Sequence, residues 1–319
     1  MRETDRDSDR KSNRRSLYRY EYTQVHMGVQ ARIVLYAPDQ AAAEHGAVAA
    51  FDRIAALDAT MSDYRRDSEL MRLAGRSGAG PVPVSAELFH VLRRAGQFAR
   101  LSGGAFDITA GPLVQLWRTA RDTGTLPAPD ALETARSRSG YALLRLDAED
   151  STAMLANKGM RLDLGGIAKG FAADEALATL RTHGLPHAMI EFGGDIVTGD
   201  APPRERDAAD GPENDKTGWR ITEPLSGRTF HLTNAAISTS GDTVQFVVID
   251  GTRYSHVLDP RTGIPLTNRI AVTVIAPEGI LSDGLATMLS VLGPEEGMPL
   301  VERTWPDVQV FFDDASAEK

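Results

Sequence analysis

Along the chain the apolar positions change between two spacings, and the changes outline the elements. Residues 31–36 (ARIVLY) form a β-branched apolar run that predicts a strand. Residues 41–62 then place apolar side chains three and four apart, which predicts a helix, so the first predicted pair is strand then helix. A loop rich in charge and glycine over 63–83 leads to a second predicted helix at 86–102, stopped by Gly103-Gly104 in the manner of a C-cap. Another loop follows, headed by Phe106-Asp107-Ile108-Thr109, and 130–137 reads as helix. Residues 142–146, 151–156 and 159–164 predict short strands. A helix at 167–181, closed by Gly184, precedes a buried strand at 187–191 that runs into Phe192-Gly193-Gly194-Asp195. Strands at 219–221, 229–232, 236–238, 245–250 and 270–275 come next, then a helix at 281–292. Strands and helices mix without regular alternation, which argues an α+β fold rather than a doubly wound sheet.

Two polar segments interrupt this pattern. The first nineteen residues, MRETDRDSDRKSNRRSLYR, predict a solvated, disordered charged arm, and residues 199–218 (GDAPPRERDAADGPENDKTG) predict an insertion loop too polar to bury. The expected organisation is an arm at 1–19, one domain over 20–313 and a short tail at 314–319. With 42% hydrophobic and 25% charged residues among 319, the chain has the balance of a folded globular protein. A net charge of -9, from 35 basic and 44 acidic side chains, disfavours binding to a phosphate backbone. Cysteine is absent, which removes disulfides, thiolate metal sites and cysteine nucleophiles, so any chemistry runs on oxygen, nitrogen and the backbone. The start lacks the apolar stretch of about 7–15 residues of a secretory signal. The richest apolar run, 269–280, is too short for a membrane span. The expected address is therefore the cytoplasm.

Six local constellations could carry chemistry, and each also has a plain structural reading. Asp163-Leu-Gly165-Gly166-Ile-Ala-Lys169-Gly170 reads as strand, glycine turn and helix start. It is either an anion cradle of backbone N–H groups or a tight turn with a surface lysine, and it fits neither the Walker A nor the dinucleotide fingerprint. Asp283 and Thr287 stand four apart on one helix face, where a carboxylate and a hydroxyl or carbonyl could converge on a hard cation such as Mg²⁺, or Ser282 or Asp283 could simply cap the helix. His256 ends a strand before the turn Asp259-Pro260-Arg261-Thr262-Gly263, and is either a titrating group or a structural histidine. Thr239-Ser240-Gly241-Asp242 is a ligand-holding turn or an ordinary hairpin. Ala105-Phe106-Asp107 and Asp63-Tyr64 each put an aromatic ring beside acidic groups, as flat-ring recognition needs and as packed loops also show.

Read in order, these segments resemble the ApbE family of FAD:protein FMN transferases. The resemblance rests on Met27-Gly28, Ser62-Asp63-Tyr64 with Ser68-Glu69, residues 104–117, residues 163–170, Gly193-Gly194-Asp195, Thr239-Ser240-Gly241-Asp242, residues 256–263, and Asp283 to Thr287. It spans nearly the whole chain, and eight ordered motifs are far more specific than any one. It implies a T-fold-like α+β architecture with a mainly antiparallel sheet. It implies FAD as substrate, Mg²⁺ as cofactor, and transfer of FMN to a Thr or Ser hydroxyl of an acceptor flavoprotein, with AMP released. The acceptor would be recognised by a short Asp-x-x-Ser/Thr-Gly-Ala-Ser/Thr-like motif.

Carried over position by position, the resemblance makes Asp283, Thr287 and the carbonyls of Gly166 and Ala286 the metal ligands, and His256 the general base. Met27, Tyr64, Ala105, Phe106, Asp107, Asp163, Lys169 and His256 would line the FAD site, with Tyr64 a ring contact and Lys169 a phosphate partner. Three departures fall around that site: Val29 and Asp63 replace threonines of the family pattern, and Thr243 stands where an aromatic is common. Many relatives are exported lipoproteins, against the cytoplasmic expectation here. Two other activities fit the same residues. Water in place of the protein hydroxyl would make an FAD pyrophosphatase, and a chain without turnover would be an FAD-binding protein.

Overall fold

The computed structural model describes residues 16–203, 217–241 and 246–314. Its centre is a seven-stranded sheet of β1 (Tyr18–His26), β2 (Val29–Ala37), β3 (Ala188–Phe192), β4 (Asp195–Thr198), β5 (Ala235–Ser240), β6 (Ile270–Ala276) and β7 (Gln309–Asp314). The strands lie side by side in chain order, and every neighbouring pair is antiparallel. Among the described residues seven α-helices accompany them: α1 (Gln40–Met61), α2 (Glu69–Gly75), α3 (Ala86–Leu101), α4 (Gly111–Thr123), α5 (Pro129–Arg136), α6 (Ala168–Thr182) and α7 (Gly279–Thr304). The α+β expectation, with a mainly antiparallel sheet, is met.

Strand periodicity divides the side chains between two faces. Ile33 and Leu35 of β2, Ile190 and Phe192 of β3, and Val272 and Val274 of β6 enter the main core with α1, α6 and α7. Each such side chain contributes about 1.5–3 kcal/mol of burial energy as an upper estimate. The intervening Val34, Met189, Ile237 and Ile275 meet Trp219, Ile221 and Leu232 on the opposite face, beneath a hairpin of strands Trp219–Thr222 and Thr229–Leu232. A helical layer thus covers one face and a small hairpin part of the other.

Several elements differ from the sequence reading. Tyr18 and Arg19, assigned to the charged arm, begin β1, so the first pair is a hairpin, not strand then helix. Alternate tyrosines at 20 and 22 pack on the core and draw this segment into the sheet. The loop expected at 63–83 contains α2, which Ser68 caps by accepting the Met71 N–H at 3.0 Å. The loop expected after Gly104 contains α4, which starts at Gly111-Pro112. Residues 159–164 form no strand: their β-type pairing is an isolated bridge between Arg161 and Ala110, although Met160, Leu162 and Leu164 enter the main core. The helix expected at 281–292 stops where the backbone leaves the helix at Gly293 (φ 70°, ψ 178°), and a second segment with Pro294 at its start completes α7. The strand β7 was not expected, and Asp314, assigned to the tail, is its last residue. Most of the charged arm, most of the 199–218 loop, and Asp242 and Thr243 lie outside the described residues. No helix among the described residues is long and apolar enough to cross a membrane.

Candidate active site

Two glycines set the centre of the site. The first turn of α6 crosses the first turn of α7 so closely that a Cβ on Gly170 would lie 2.5 Å from the Gly279 carbonyl carbon and 2.8 Å from Asp283 Cβ. Only glycine allows this approach. The contact lets Gly170 N donate to Asp283 Oδ2 at 3.0 Å. Asp174, one turn further along α6, accepts from Gly279 N and Ile280 N at 2.7 and 2.9 Å and so caps α7, which has no side-chain cap of its own. Burial pushes the Asp174 carboxyl up to about 6 against those two hydrogen bonds.

Lys169 lies at this crossing. Its Nζ donates to Gly165 O at 2.8 Å, stands 3.4 Å from both Asp283 carboxylate oxygens, and lies 3.1 Å from Asp195 Oδ2 at the start of β4. Burial opposes the lysine charge, but Asp195 and Asp283 outweigh it and hold the ammonium protonated well above the ordinary lysine range. Burial, then the Asp195 charge, raise the Asp283 carboxyl. Asp195 Oδ2 is buried and receives no aligned hydrogen bond despite its closeness to Nζ. The sequence placed Asp195 in a motif without giving it a role.

Asp283 and Thr287 share one face of α7, as their spacing predicts, and Gly166 faces them. A Cβ on Gly166 would come within 2.8 Å of Thr287 Oγ1. The Ala286 carbonyl also accepts from Ser290 Oγ at 2.9 Å. Asp283 and Thr287 bring a carboxylate and a hydroxyl, both hard oxygen donors, to one helix face, and Asp195 reaches the same place through Lys169. Among the described residues no three His, Cys, Asp or Glu side chains group as a metal cage. That combination fits Mg²⁺, which commonly takes one or two carboxylates and completes its shell with water and substrate phosphates.

The remaining predicted residues approach from loops. Met27 (φ 48°) and Gly28 (φ 76°) form the β1–β2 turn, whose two positive φ values match the two-residue hairpin turn that follows strand twist. Phe106 packs its ring edge-on against Phe98 at 5.5 Å, and its N–H donates to Ser102 Oγ at 3.0 Å. Asp107 Oδ1 accepts from Thr109 N at 2.8 Å and Thr109 Oγ1 at 2.7 Å, while burial raises its carboxyl. His256 is exposed between buried Ser255 and Val257, so its imidazole sits at the surface of the site. Next to it Tyr254 lies 5.1 Å from the Trp117 ring, and Trp117 Nε1 donates to Gly263 O at 2.8 Å.

All twelve residues singled out from the sequence line one cavity of about 1170 Å³. Two groups that the sequence reading passed over line it as well. Arg118 of α4 pairs with Asp63, donates to Asp163 Oδ2 at 2.8 Å, and lies 4.6 Å from the Tyr64 ring centroid. Arg32 and Glu191, paired through the Arg32 Nε donor at 2.9 Å, extend the wall along the second face of the sheet. Arg118 directly follows the motif at 104–117, but its partners lie 45 and 55 residues away, and no local pattern signals such a pairing.

Comparison with known proteins identifies the family. The ApbE family model matches residues 27–312. An FAD:protein FMN transferase of Treponema pallidum is 34% identical over 312 residues, covering 92% of this chain and 84% of its own. One from Vibrio cholerae is 36% identical over 252 residues, covering 76% and 72%. Among solved structures, the flavin transferase ApbE of Vibrio cholerae superposes with a TM-score of 0.79 at 30% identity, over 94% of this chain and 96% of that one. The apo form of the Pseudomonas stutzeri flavinyl transferase ApbE gives 0.77 at 29% identity, over 93% and 91%. The family model matches most of the chain and the fold superposes on solved members, so this chain belongs to the ApbE family.

Proposed function

We propose that this chain is an FAD:protein FMN transferase that moves FMN from FAD to a Ser or Thr hydroxyl of an acceptor flavoprotein. The observation that carries the reading is one cavity that joins hard oxygen donors, an ammonium held between two carboxylates, an aromatic ring and an exposed imidazole. In the reaction the acceptor oxygen bonds to the phosphorus of the FMN half, and the bond from that phosphorus to the bridging oxygen breaks. AMP leaves, and the hydroxyl proton passes to His256 Nδ1 or Nε2.

The roles follow from chemistry. Lys169, held protonated, suits the pyrophosphate charge. Tyr64 offers a face for a flat ring. Met27, Ala105, Phe106, Asp107 and Asp163 shape the rest of the FAD site. His256, at the solvent edge, is reachable by a polypeptide hydroxyl and acts as general base. Asp283, Thr287 and the carbonyls of Gly166 and Ala286 would hold Mg²⁺, which when bound neutralises phosphate charge as the pyrophosphate opens.

The exposure of His256 also admits water, so hydrolysis of FAD to FMN and AMP is the second reading. Product analysis separates them. The purified protein with FAD and Mg²⁺ but no acceptor is expected to form little AMP, and added acceptor domain to start AMP release. Equal AMP and free FMN with and without acceptor would identify a pyrophosphatase.

A further inference from the structure

Arg118 connects three segments that sequence separates widely. It projects from α4, whose own position is fixed by the Trp117 bond to Gly263 O and by the close packing of Gly111 on Arg161, where a Cβ would meet the carbonyl oxygen at 2.7 Å. From that base the guanidinium divides its donors. One nitrogen pairs with Asp63 in the loop after α1, and the other donates to Asp163 Oδ2 at 2.8 Å. Asp163 uses its second oxygen to accept from Gly165 N at 2.8 Å, and so shapes the glycine turn before Lys169. The guanidinium carbon lies over the Tyr64 ring, 4.6 Å from its centroid.

The charges make this arrangement directional. Asp63 and Asp163 face one cation, and all three side chains are less than a quarter exposed. Without Arg118 the two carboxylates would face each other across the gap, and the Asp63–Tyr64 loop would have no counter-charge to hold it. Tyr64, by contrast, is 68% exposed and lines the cavity. A ring so open has little packing of its own to fix it, and Arg118 is the group that stacks on it. Asp63 is also one of the positions where this chain departs from the family pattern, and the departure supplies the Arg118 partner.

We infer that Arg118 is a positioning residue that, through Asp63 and Asp163, presents Tyr64 as a preformed face for a flat heteroaromatic ring of the FAD substrate. The inference rests on the FAD reading above. Arg118 acts on capture of the nucleotide, not on the reacting phosphorus, so its effect belongs in Kd and KM. Lysine does not replace it, because an ammonium lacks the planar fork that spreads donors toward Asp63 and Asp163 while its face lies over the Tyr64 ring.

The test is a double-mutant cycle read by quenching of FAD fluorescence, with kcat measured in parallel. Arg118→Gln and Tyr64→Ala are each expected to weaken FAD binding by about tenfold, and the double variant also by about tenfold, since the two changes remove one function. Arg118→Lys should behave as Arg118→Gln does, and kcat at saturating FAD should fall by less than about threefold. Additive losses, approaching a hundredfold in the double variant, overturn the inference, as does a lowered kcat with unchanged Kd. If Arg118→Gln fails to fold, Asp63→Asn keeps the arginine and removes one arm of the fork; a weaker Kd that vanishes in the Tyr64→Ala background supports the inference, and an unchanged Kd overturns it. Wild-type protein that leaves FAD fluorescence unchanged would overturn the functional reading together with the inference. Wild-type binding with additive variants overturns the inference alone.

Discussion

Replacing Gly170 with alanine sets two effects of opposite sign against each other. Inside a helix, alanine is favoured over glycine by roughly 0.8–1.0 kcal/mol, so helix propensity alone predicts a more stable protein. The crossing of α6 and α7 predicts the reverse. The new Cβ would overlap the Gly279 carbonyl, standing 2.5 Å from its carbon, and would also meet Asp283 Cβ at 2.8 Å. Ordinary carbon contacts lie near 3.5–4.0 Å, so the helices must part by about 1 Å. Backbone atoms cannot rotate aside as a side chain can. Overpacking of this kind costs about 1–3 kcal/mol, which leaves a net loss of about 1 kcal/mol, and at most about 2, after the propensity gain.

The same shift carries Asp283 away from Gly170 N and Lys169, and a misplacement of about 1 Å at a reacting centre can cost about a hundredfold in rate. Urea unfolding followed by circular dichroism measures the first effect, and initial rates at saturating FAD measure the second. A Gly170→Ala protein more stable than wild type with full turnover would refute the close crossing on which the site geometry depends.

Three further outcomes follow from the same structure. Asp174 has a folded value of about 6 against the ordinary 3.8, so the folded state holds its proton more tightly than the unfolded chain. Stability from this group is complete below the ordinary value and is lost as pH rises to about 6, by about 3 kcal/mol at most, and Asp174→Asn should remove that slope from urea midpoints taken between pH 4 and 7. His256→Ala should bind FAD nearly as wild type does while transfer falls by at least about a hundredfold, and an undiminished rate would reject His256 as the base. Asp283→Ala leaves Lys169 paired with Asp195, so thermal unfolding should show a folded protein whose residual turnover no longer responds to Mg²⁺; a retained Mg²⁺ response would remove Asp283 from the ligand set.

Elements with strong periodicity were legible in the sequence. The ARIVLY run became the centre of β2, and the three- and four-residue spacing over 41–62 became α1, capped where Asp39 accepts from Ala42 N at 2.9 Å. What escaped reading depended on distant partners. The alternation in β1 follows directly on a charged segment and shows its meaning only when Tyr20 and Tyr22 reach the core. The pattern QVFFDD of β7 is half polar, and its pairing with β6 decides it. Residues 159–164 look like a strand because extended apolar residues do, yet they find only one bridging partner.

The candidate site was legible for a different reason. Its residues fall in short ordered motifs, and the fold gathers all twelve around one cavity. Arg118 and Asp195 were not assigned roles because their meaning lies in ion pairs across 26 to 55 residues of chain, which no local spacing encodes.

The most direct test of the central claim is the intact mass of an acceptor. A small domain or peptide carrying the Ser/Thr acceptor motif is incubated with the protein, FAD and Mg²⁺, and acceptor mass and AMP are followed together. The account predicts an acceptor heavier by one FMN group and an equal amount of AMP. AMP with free FMN and an unmodified acceptor, or FAD left intact, would contradict it.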